Sequence, residues 1–287
     1  MNLSSPPLPD QVQRALGALR LFREFADPLF LGAENIPAHR PLVFVGNHTT
    51  YGLFDTMFLF EWLYHAHGIF LRSMGDHVHF KVPLWRDVLS GFGVVEGDRE
   101  TASTLLSTRE SILVFPGGAR EVARRKNEKY PVIWKDRTGF ARLAIRHGCD
   151  IIPFAAIGID DAWDVVYDAE DAFHSRLGPV LKVLGVRPEA TMPVVKGLGG
   201  TPLPRPERVY FRILPPVSTR AVQGRQDDDA VVMEVRERAR TAVQRGITEL
   251  LRFRELDPDR NVFLHAGRRV VEKLLEPAAR ARTKPGP

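Results

Sequence analysis

Short apolar runs alternate with amphipathic segments along most of the chain. Runs of Val, Ile, Leu and Phe that end at Gly, Pro or a charged residue are typical of buried strands. They predict strands at residues 41–46, 68–72, 92–95, 111–115, 151–157 and 209–214. Apolar residues at helical spacing predict helices near residues 54–66, 99–108 and 137–148. This alternation predicts an α/β fold, with a mainly parallel central sheet flanked by helices.

A longer amphipathic pattern occupies residues 229–255. Apolar residues recur there at helical spacing, opposite a face rich in Arg and Glu, and the acidic run 227–229 before it complements a helix dipole. It predicts a long C-terminal helix used for docking or dimerisation. Between the last two predicted strands, the Pro- and Gly-rich residues 158–208 predict a long excursion with a short helix, as part of an acyl or acceptor pocket.

We expect three parts in the chain. The first is an N-terminal amphipathic helical segment, 1–34, in which Leu and Phe side chains alternate with Arg14, Arg20 and Arg23. This composition is typical of a helix at a membrane interface, although a helix packed on the protein's own core has the same pattern. A central domain, 35–220, and C-terminal helices with a basic tail, 221–287, packed on that domain, complete the chain.

Composition excludes several classes of protein. Lys and Arg number 40 against 35 Asp and Glu, so the basic residues are diluted by acids and nucleic-acid binding is not expected. The net charge of +5 favours anionic lipid or polyphosphate. No uninterrupted apolar run is long enough for a transmembrane helix. Cys149 is the single cysteine, so no intramolecular disulfide is possible and a reducing compartment is expected; we predict a buried, unreactive thiol.

The most informative chemistry lies just past the first predicted strand. His48 follows that strand directly, and Asp55 comes after six further residues. A neutral imidazole takes a proton from an alcohol near pH 7, and a carboxylate on its other nitrogen fixes the tautomer. Because the chain has no Gly-x-Ser-x-Gly elbow, the activated alcohol belongs to a substrate, and the predicted reaction is direct acyl transfer. The alternative is a loop histidine beside a helix cap.

Two glycine-containing segments carry arginines. Residues 112–121 read as a strand that runs into a turn, Phe-Pro-Gly-Gly-Ala-Arg-Glu. Such a turn lets backbone amides approach a ligand, and Arg120 adds a planar fork suited to phosphate or carboxylate oxygens. Residues 91–99 form another strand-like run that ends in Arg99, which is either a phosphate ligand or a surface residue of a first helical turn.

In this order, the blocks resemble the glycerolipid acyltransferase superfamily. Its members carry Asn-His with a following Asp, a Gly-rich segment with an Arg, a Phe-Pro-Glu-Gly-Thr-Arg block, and an apolar segment with a central Pro. The matching residues are Asn47, His48 and Asp55; Gly93 and Arg99; Phe115, Pro116, Gly118 and Arg120; and residues 151–154. The resemblance spans about residues 35–215 and implies a glycerol-3-phosphate acyltransferase-like fold.

Two positions depart from the family pattern. Members usually place four residues between His and Asp, whereas six lie between His48 and Asp55, so the loop must bulge by two residues. Gly117 stands where the phosphate-ester branch has a glutamate. The Phe-Pro-Gly-Gly block is more similar to the branch of diacylglycerol acyltransferase 2 and plant phytyl ester synthases, which acylates neutral lipid alcohols. A phosphorylated and a neutral acceptor therefore both stay open.

The resemblance implies an O-acyltransferase with acyl-coenzyme A, or an acyl carrier protein, as donor and a lipid hydroxyl as acceptor. It implies that His48 is the general base and Asp55 its orienter, with no cofactor and no metal. It implies substrate contacts from Asn47, Arg99, Phe115, Pro116, Gly117, Gly118 and Arg120. It also implies a peripheral or monotopic protein on the cytoplasmic face of a membrane. A catalytically silent lipid-binding module is the alternative, and the sequence leaves the oligomeric state undetermined.

Overall fold

The computed structural model describes residues 23–265, except residues 25, 53, 76–79, 81–85, 87, 88, 91, 92 and 264. The strands in this part are β1 (Leu29–Leu31), β2 (Leu42–Gly46), β3 (Leu71–Gly75), β4 (Val95–Glu96), β5 (Ser111–Val114), β6 (Asp150–Ile157), β7 (Asp164–Tyr167), β8 (Val194–Lys196) and β9 (Tyr210–Ile213). The α-helices are α1 (Phe54–His67), α2 (Arg99–Ser107), α3 (Ala119–Val122), α4 (Gly139–His147), α5 (Ala169–His174), α6 (Gly178–Val183) and α7 (Asp229–Leu256).

Seven strands form one sheet, in the order β1-β9-β6-β2-β5-β3-β4. Neighbouring strands are parallel, except that β9 runs antiparallel to β6. The predicted α/β architecture with a mainly parallel sheet is therefore confirmed. Because β2 lies between β5 and β6, its carboxyl end sits in the middle of the sheet edge where ligands bind in folds of this kind.

The central strand β2 is buried on both faces, as its continuous apolar run predicts. Val43 and Val45 belong to the core shared with α2, α4 and α7, whereas Leu42 and Phe44 belong to the core shared with α1. Successive side chains of a strand point to opposite faces, so β2 joins the two helical layers. The core therefore holds the end of this strand rigidly.

The predicted C-terminal helix is confirmed as α7, which packs along β6. Asp228 caps its start by accepting hydrogen bonds from the amides of Ala230 and Val231, which explains the acidic run without a metal. Its apolar stripe is buried on the sheet, with Val232, Val243 and Leu250 fully enclosed. In this chain the stripe covers the protein's own core.

The main differences from the sequence-based expectation concern three strands. β3 begins at Leu71 and not at residue 68, because Gly68 and Ile69 donate hydrogen bonds back to the last turn of α1 and terminate that helix. β4 covers Val95–Glu96 instead of 92–95. Leu29–Leu31, assigned above to the amphipathic helical segment, is an edge strand parallel to β9. Most of that segment, and the basic tail, lie outside the described residues.

The excursion between β6 and β9 contains more structure than one short helix. It holds α5, α6 and a small antiparallel sheet of β7 and β8. It begins at the carboxyl end of β6, which is the same sheet edge that His48 occupies. In the described part of the chain, no helix combines the length and hydropathy that a membrane-spanning segment needs.

Candidate active site

The segments that follow β5, β2 and β6 meet at one edge of the sheet. His48 follows β2, the turn Phe115 to Gly118 follows β5, and Asp160 follows β6. These three strands are parallel neighbours, so their carboxyl ends lie side by side. The sheet order therefore brings together residues that are far apart in the sequence.

The His48 ring and the Asp55 carboxylate are in hydrogen-bond contact, with 3.0 Å between Nδ1 and Oδ2. Asp55 lies in the first turn of α1 with 1% of its surface exposed, and it also accepts hydrogen bonds from the amides of Thr49 (2.9 Å) and Thr56 (2.8 Å). Burial alone would raise the pKa of Asp55, but His48 and these amides hold that pKa below its usual value. An ionised carboxylate only accepts, so in the neutral form of the His48 ring Nδ1 carries the proton and Nε2 is the basic nitrogen.

The loop between the two residues accommodates its extra length in a tight turn. Tyr51 and Gly52 both adopt positive φ angles, 62° and 63°, and the amide of Gly52 donates to the Thr49 carbonyl at 3.0 Å. Thr50 is anchored to Asp160, which accepts from its amide (2.7 Å) and its hydroxyl (2.8 Å). The bulge that the spacing predicts thus folds the chain back, and the carboxylate reaches the imidazole.

The imidazole is held between an aromatic ring and a glycine. The Phe115 ring stacks on the His48 ring with centroids 3.7 Å apart and planes 1° from parallel. A Cβ atom at Gly52 would lie 2.5 Å from Nε2 and 2.4 Å from Cε1. Only a glycine at this position leaves the space beside Nε2 open. The His48 side chain is 15% exposed, so this space is the approach to the ring.

Two buried charged residues hold the backbone of His48. Glu121 accepts from the His48 amide (2.9 Å) and from the Ile133 amide (2.8 Å), and Arg124 donates to the His48 carbonyl (2.6 Å). Arg124 also pairs with Asp160 at 3.0 Å, and both side chains are 1% exposed. Burial raises the pKa of Glu121, although the two amides and Arg124 oppose the shift. Side-chain hydrogen bonds from Glu121 and Arg124 therefore hold the two peptide groups that flank the His48 Cα.

Gly117 makes room for the Glu121 carboxylate. A Cβ atom at Gly117 would fall 2.0 Å from Cδ and 2.4 Å from Oε2 of Glu121. The Glu121 carboxylate therefore occupies the space that a side chain at position 117 would need. This packing explains why the chain departs from the family pattern at position 117 and carries its glutamate one helical turn later.

Asn47 does not contact the approach to His48. Its side chain is fully buried, and its amide both donates to the Ala156 carbonyl (2.9 Å) and accepts from the Ala156 amide (2.9 Å). These bonds continue the ladder between β2 and β6 one residue beyond β2. The substrate contact expected for Asn47 is corrected to this structural role, because no part of its amide faces the cleft.

The predicted arginines lie at different distances from the dyad. Arg120 forms a two-point ion pair with Glu128, with Nη1 to Oε2 at 2.9 Å, and its side chain is 12% exposed. Arg99 is exposed in the first turn of α2. This helix follows β4, and β5 and β3 lie between β4 and β2 in the sheet. Arg137 was not predicted; it donates to the Pro116 carbonyl at 2.7 Å and lies over Gly118. Arg120 and Arg137 therefore border the glycine turn, and Arg99 lies farther along the edge.

Sequence reasoning also missed Gly52, Glu121, Arg124 and Asp160. The signal available for Glu121 and Arg124 was a charged pair three residues apart, directly after an apolar strand and a glycine turn. Among the described residues, no group of three or more His, Cys, Asp or Glu side chains is arranged to hold a metal ion.

The part of the chain that carries this site matches a known family model. The family model described as Acyltransferase matches residues 29–157, which include the dyad and the glycine turn. Phytyl ester synthase 1, chloroplastic, of Arabidopsis thaliana is 28% identical over 256 residues, which are 81% of this chain and 35% of that protein. The bovine "DGAT1/2-independent enzyme synthesizing storage lipids" is 32% identical over 122 residues, 42% of this chain and 36% of that protein.

Among solved structures, the 1-acyl-sn-glycerophosphate acyltransferase PlsC from Thermotoga maritima matches with a TM-score of 0.49 and 20% identity, over 85% of this chain and 78% of that one. The chain spans about a third of the length of the phytyl ester synthases that it matches, 35% in each case. The acyltransferase model over residues 29–157 and the similarity to the phytyl ester synthases over most of the chain both support the glycerolipid acyltransferase superfamily.

Proposed function

We propose that the protein transfers a fatty acyl group from an acyl thioester to a lipid hydroxyl, with His48 as general base. The observation that carries this proposal is the contact between His48 Nδ1 and Asp55, which makes Nε2, beside Gly52, the nitrogen that can accept a proton. A base oriented in this way, with no nucleophilic serine elbow in the chain, suits direct transfer between two bound substrates.

In the proposed reaction, His48 Nε2 removes the proton of the acceptor hydroxyl as its oxygen attacks the thioester carbonyl. Asp55 stabilises the imidazolium that forms. The tetrahedral intermediate then collapses, the carbon–sulfur bond breaks, and the leaving thiolate takes the proton from His48. The products are the ester and the free thiol, and the base returns to its starting state. Glu121 and Arg124 keep the His48 backbone in place through these steps, and Phe115 keeps the ring plane.

We propose acyl-coenzyme A as donor, with an acyl carrier protein as the second possibility. The cations that border the glycine turn, Arg120 and Arg137, support a donor that carries phosphate groups. Arg120 must leave Glu128 to bind a phosphate group of the donor. Arg99 would bind only a phosphate group that lies far from His48. No cofactor is required by these steps.

A neutral lipid alcohol is the acceptor that we favour. Two relatives are named phytyl ester synthases, and a third is named for storage lipid synthesis. The Phe-Pro-Gly-Gly turn, in which Gly117 stands where the phosphate-ester branch has a glutamate, supports the same choice. Attachment to the cytoplasmic face of a membrane stays a prediction.

The test is release of free coenzyme A from a long-chain acyl-coenzyme A by the wild type and by His48→Ala. Phytol, diacylglycerol, monoacylglycerol and lysophosphatidic acid are offered separately. We expect release that depends on His48 and on a neutral acceptor. Release only with lysophosphatidic acid would reverse the choice of acceptor. No acceptor-dependent release by folded protein, with either donor, would leave the lipid-binding alternative.

A further inference from the structure

Helix α6 turns its apolar stripe away from the core. Leu177, Val180, Val183 and Leu184 recur at helical spacing, and their exposed fractions are 63%, 52%, 88% and 71%. A helix in a soluble domain normally packs such a stripe against its own core, as α7 does here. An outward stripe of this size marks a surface that contacts something other than water.

The neighbouring strand β8 extends this apolar surface. Val195 points inward and is 7% exposed within the core, whereas Val194 points outward and is 56% exposed. Met192, just before the strand, is 46% exposed. α5 packs against both α6 and the 3-10 turn Pro188–Ala190 that leads to β8, so these parts form one unit. We call the exposed residues the excursion surface: Leu177, Val180, Val183, Leu184, Met192 and Val194.

Exposed cations lie around the excursion surface, beside acids that are paired with other cations. Residues 172–203 carry four basic side chains, all exposed, namely Arg176, Lys182, Arg187 and Lys196. Glu189 is the one acid in this range and pairs with Lys135, and the acids of the adjoining β7 and α5 are also paired: Asp164 with Arg205, Glu170 with Arg125 and Asp171 with Lys126. Apolar side chains bordered by cations complement a bilayer surface that contains anionic headgroups. Contact with water alone would account for the exposed cations but not for the exposed apolar side chains.

The excursion surface is joined to the catalytic loop. The Tyr51 hydroxyl donates to the Pro193 carbonyl at 2.9 Å, and Tyr51 lies between His48 and Asp55 in the sequence. Trp163 packs edge-on against Tyr51, with centroids 5.7 Å apart, and its indole donates to the Pro202 carbonyl at 2.9 Å. A lipid held at this surface is therefore next to the loop that carries the dyad.

We propose that the excursion surface docks on a bilayer containing anionic lipid and presents the acceptor hydroxyl to His48 from within that bilayer. This inference rests on the proposed acyl transfer for the identity of the lipid acceptor. The docking itself depends only on the apolar stripe and its cations, so it is measured without catalysis.

The experiment is flotation of the full chain with vesicles of phosphatidylcholine, with and without phosphatidylglycerol. Leu184→Asp places a charge in the excursion surface. Leu256→Asp is the matched control, because Leu256 is 85% exposed at the end of α7 and lies outside that surface. We expect Leu184→Asp to lower the vesicle partition coefficient about tenfold and Leu256→Asp to leave it nearly unchanged. Lys182→Glu should lower it about fivefold, only with phosphatidylglycerol and less at high salt.

Equal flotation of the wild type and Leu184→Asp would overturn the proposal, as would a wild type that binds neither vesicle. Loss of self-association by Leu184→Asp, seen by light scattering without vesicles, would assign the surface to a second copy of the chain instead. Vesicle binding without coenzyme A release would refute acyl transfer and leave the docking surface in place. If the protein releases coenzyme A with a detergent-dispersed acceptor, and the wild type and Leu184→Asp float equally, only the docking is refuted.

Discussion

Replacement of Gly117 by alanine tests how the backbone of His48 is held. The added methyl group would sit 2.0 Å from Cδ of Glu121, far inside contact distance. Gly117 does not have a positive φ angle, so the substitution changes the available space and not the backbone preference. We expect the Glu121 side chain to leave its site and to release the amides of His48 and Ile133.

The expected magnitude follows from the two hydrogen bonds that are lost. Hydrogen bonds to a charged acceptor contribute about 1.5–3 kcal/mol each, so Gly117→Ala should lower the free energy of unfolding by about 3 kcal/mol or more. For a chain of this size, that corresponds to a melting temperature lower by about 6 °C or more. A catalytic ring displaced by about 1 Å costs about 10²-fold, so kcat should fall by about that factor.

The assay is coenzyme A release under saturating acceptor, with thermal unfolding followed on the same preparations. Gly139→Ala is the control, because a Cβ atom there meets nothing within 4 Å. Glu121→Gln should have an intermediate effect, because an amide accepts through one oxygen only while Glu121 accepts through both. In a Glu121→Ala background the added methyl group has room, and Gly117→Ala should change stability by less than about 0.5 kcal/mol.

Two results would refute this reasoning. A Gly117→Ala protein with full kcat and an unchanged melting temperature would mean that Glu121 does not position His48. If Gly117→Ala lowers the free energy of unfolding equally in the wild type and in the Glu121→Ala background, the glycine is needed for the turn itself and not for the Glu121 carboxylate.

Further outcomes are expected. Gly52→Ala should lower kcat about 10²-fold or more, since its methyl group would lie 2.5 Å from His48 Nε2. An active Gly52→Ala protein would show that the substrate reaches the His48 ring from another side. His48→Ala should lower kcat about 10³-fold. Folding lowers the pKa of Asp55, so the ionised carboxylate stabilises the fold at pH values above its unfolded pKa of 3.8. This contribution is lost as the pH falls through the folded pKa. Urea unfolding of Asp55→Asn should therefore show reduced stability at about pH 7 and a weaker dependence of stability on acid pH. Arg137→Ala should raise KM for acyl-coenzyme A about tenfold with kcat nearly unchanged, and an unchanged KM would remove Arg137 from the donor site. Burial raises the pKa of Cys149 to about 12, so maleimide should label it only after unfolding, and rapid labelling of native protein would contradict its burial.

Local pattern was sufficient for most of the elements. Continuous apolar runs mark β2, β5 and β6, because strands buried on both faces have little polar surface to interrupt them. The pattern was insufficient for Leu29–Leu31, whose apolar residues next to arginines also suit an interfacial helix. Pairing with β9, 181 residues later in the register Leu29 to Tyr210, decides that this segment is a strand.

The candidate site shows the same division. His48 and Asp55 were found because seven positions along one chain carry both the base and its orienter, and a strand end places them at a cleft. The role of Asn47 was misjudged because its neighbour in the sequence is the base, whereas its partner in space is Ala156. Glu121 was passed over because nothing local shows that its carboxylate turns inward to an amide 73 residues earlier.

The sequence by itself determined the alternation of strands and helices, the dyad, the glycine turn and the resemblance to acyltransferases. These depend on periodicity and on residues close together in the chain. The tertiary structure alone decided which charges meet, because the order of β5, β2 and β6 sets the neighbours of His48. It also decided which apolar residues stay exposed, since helical spacing is the same for the buried stripe of α7 and the outward stripe of α6, and only packing distinguishes the two.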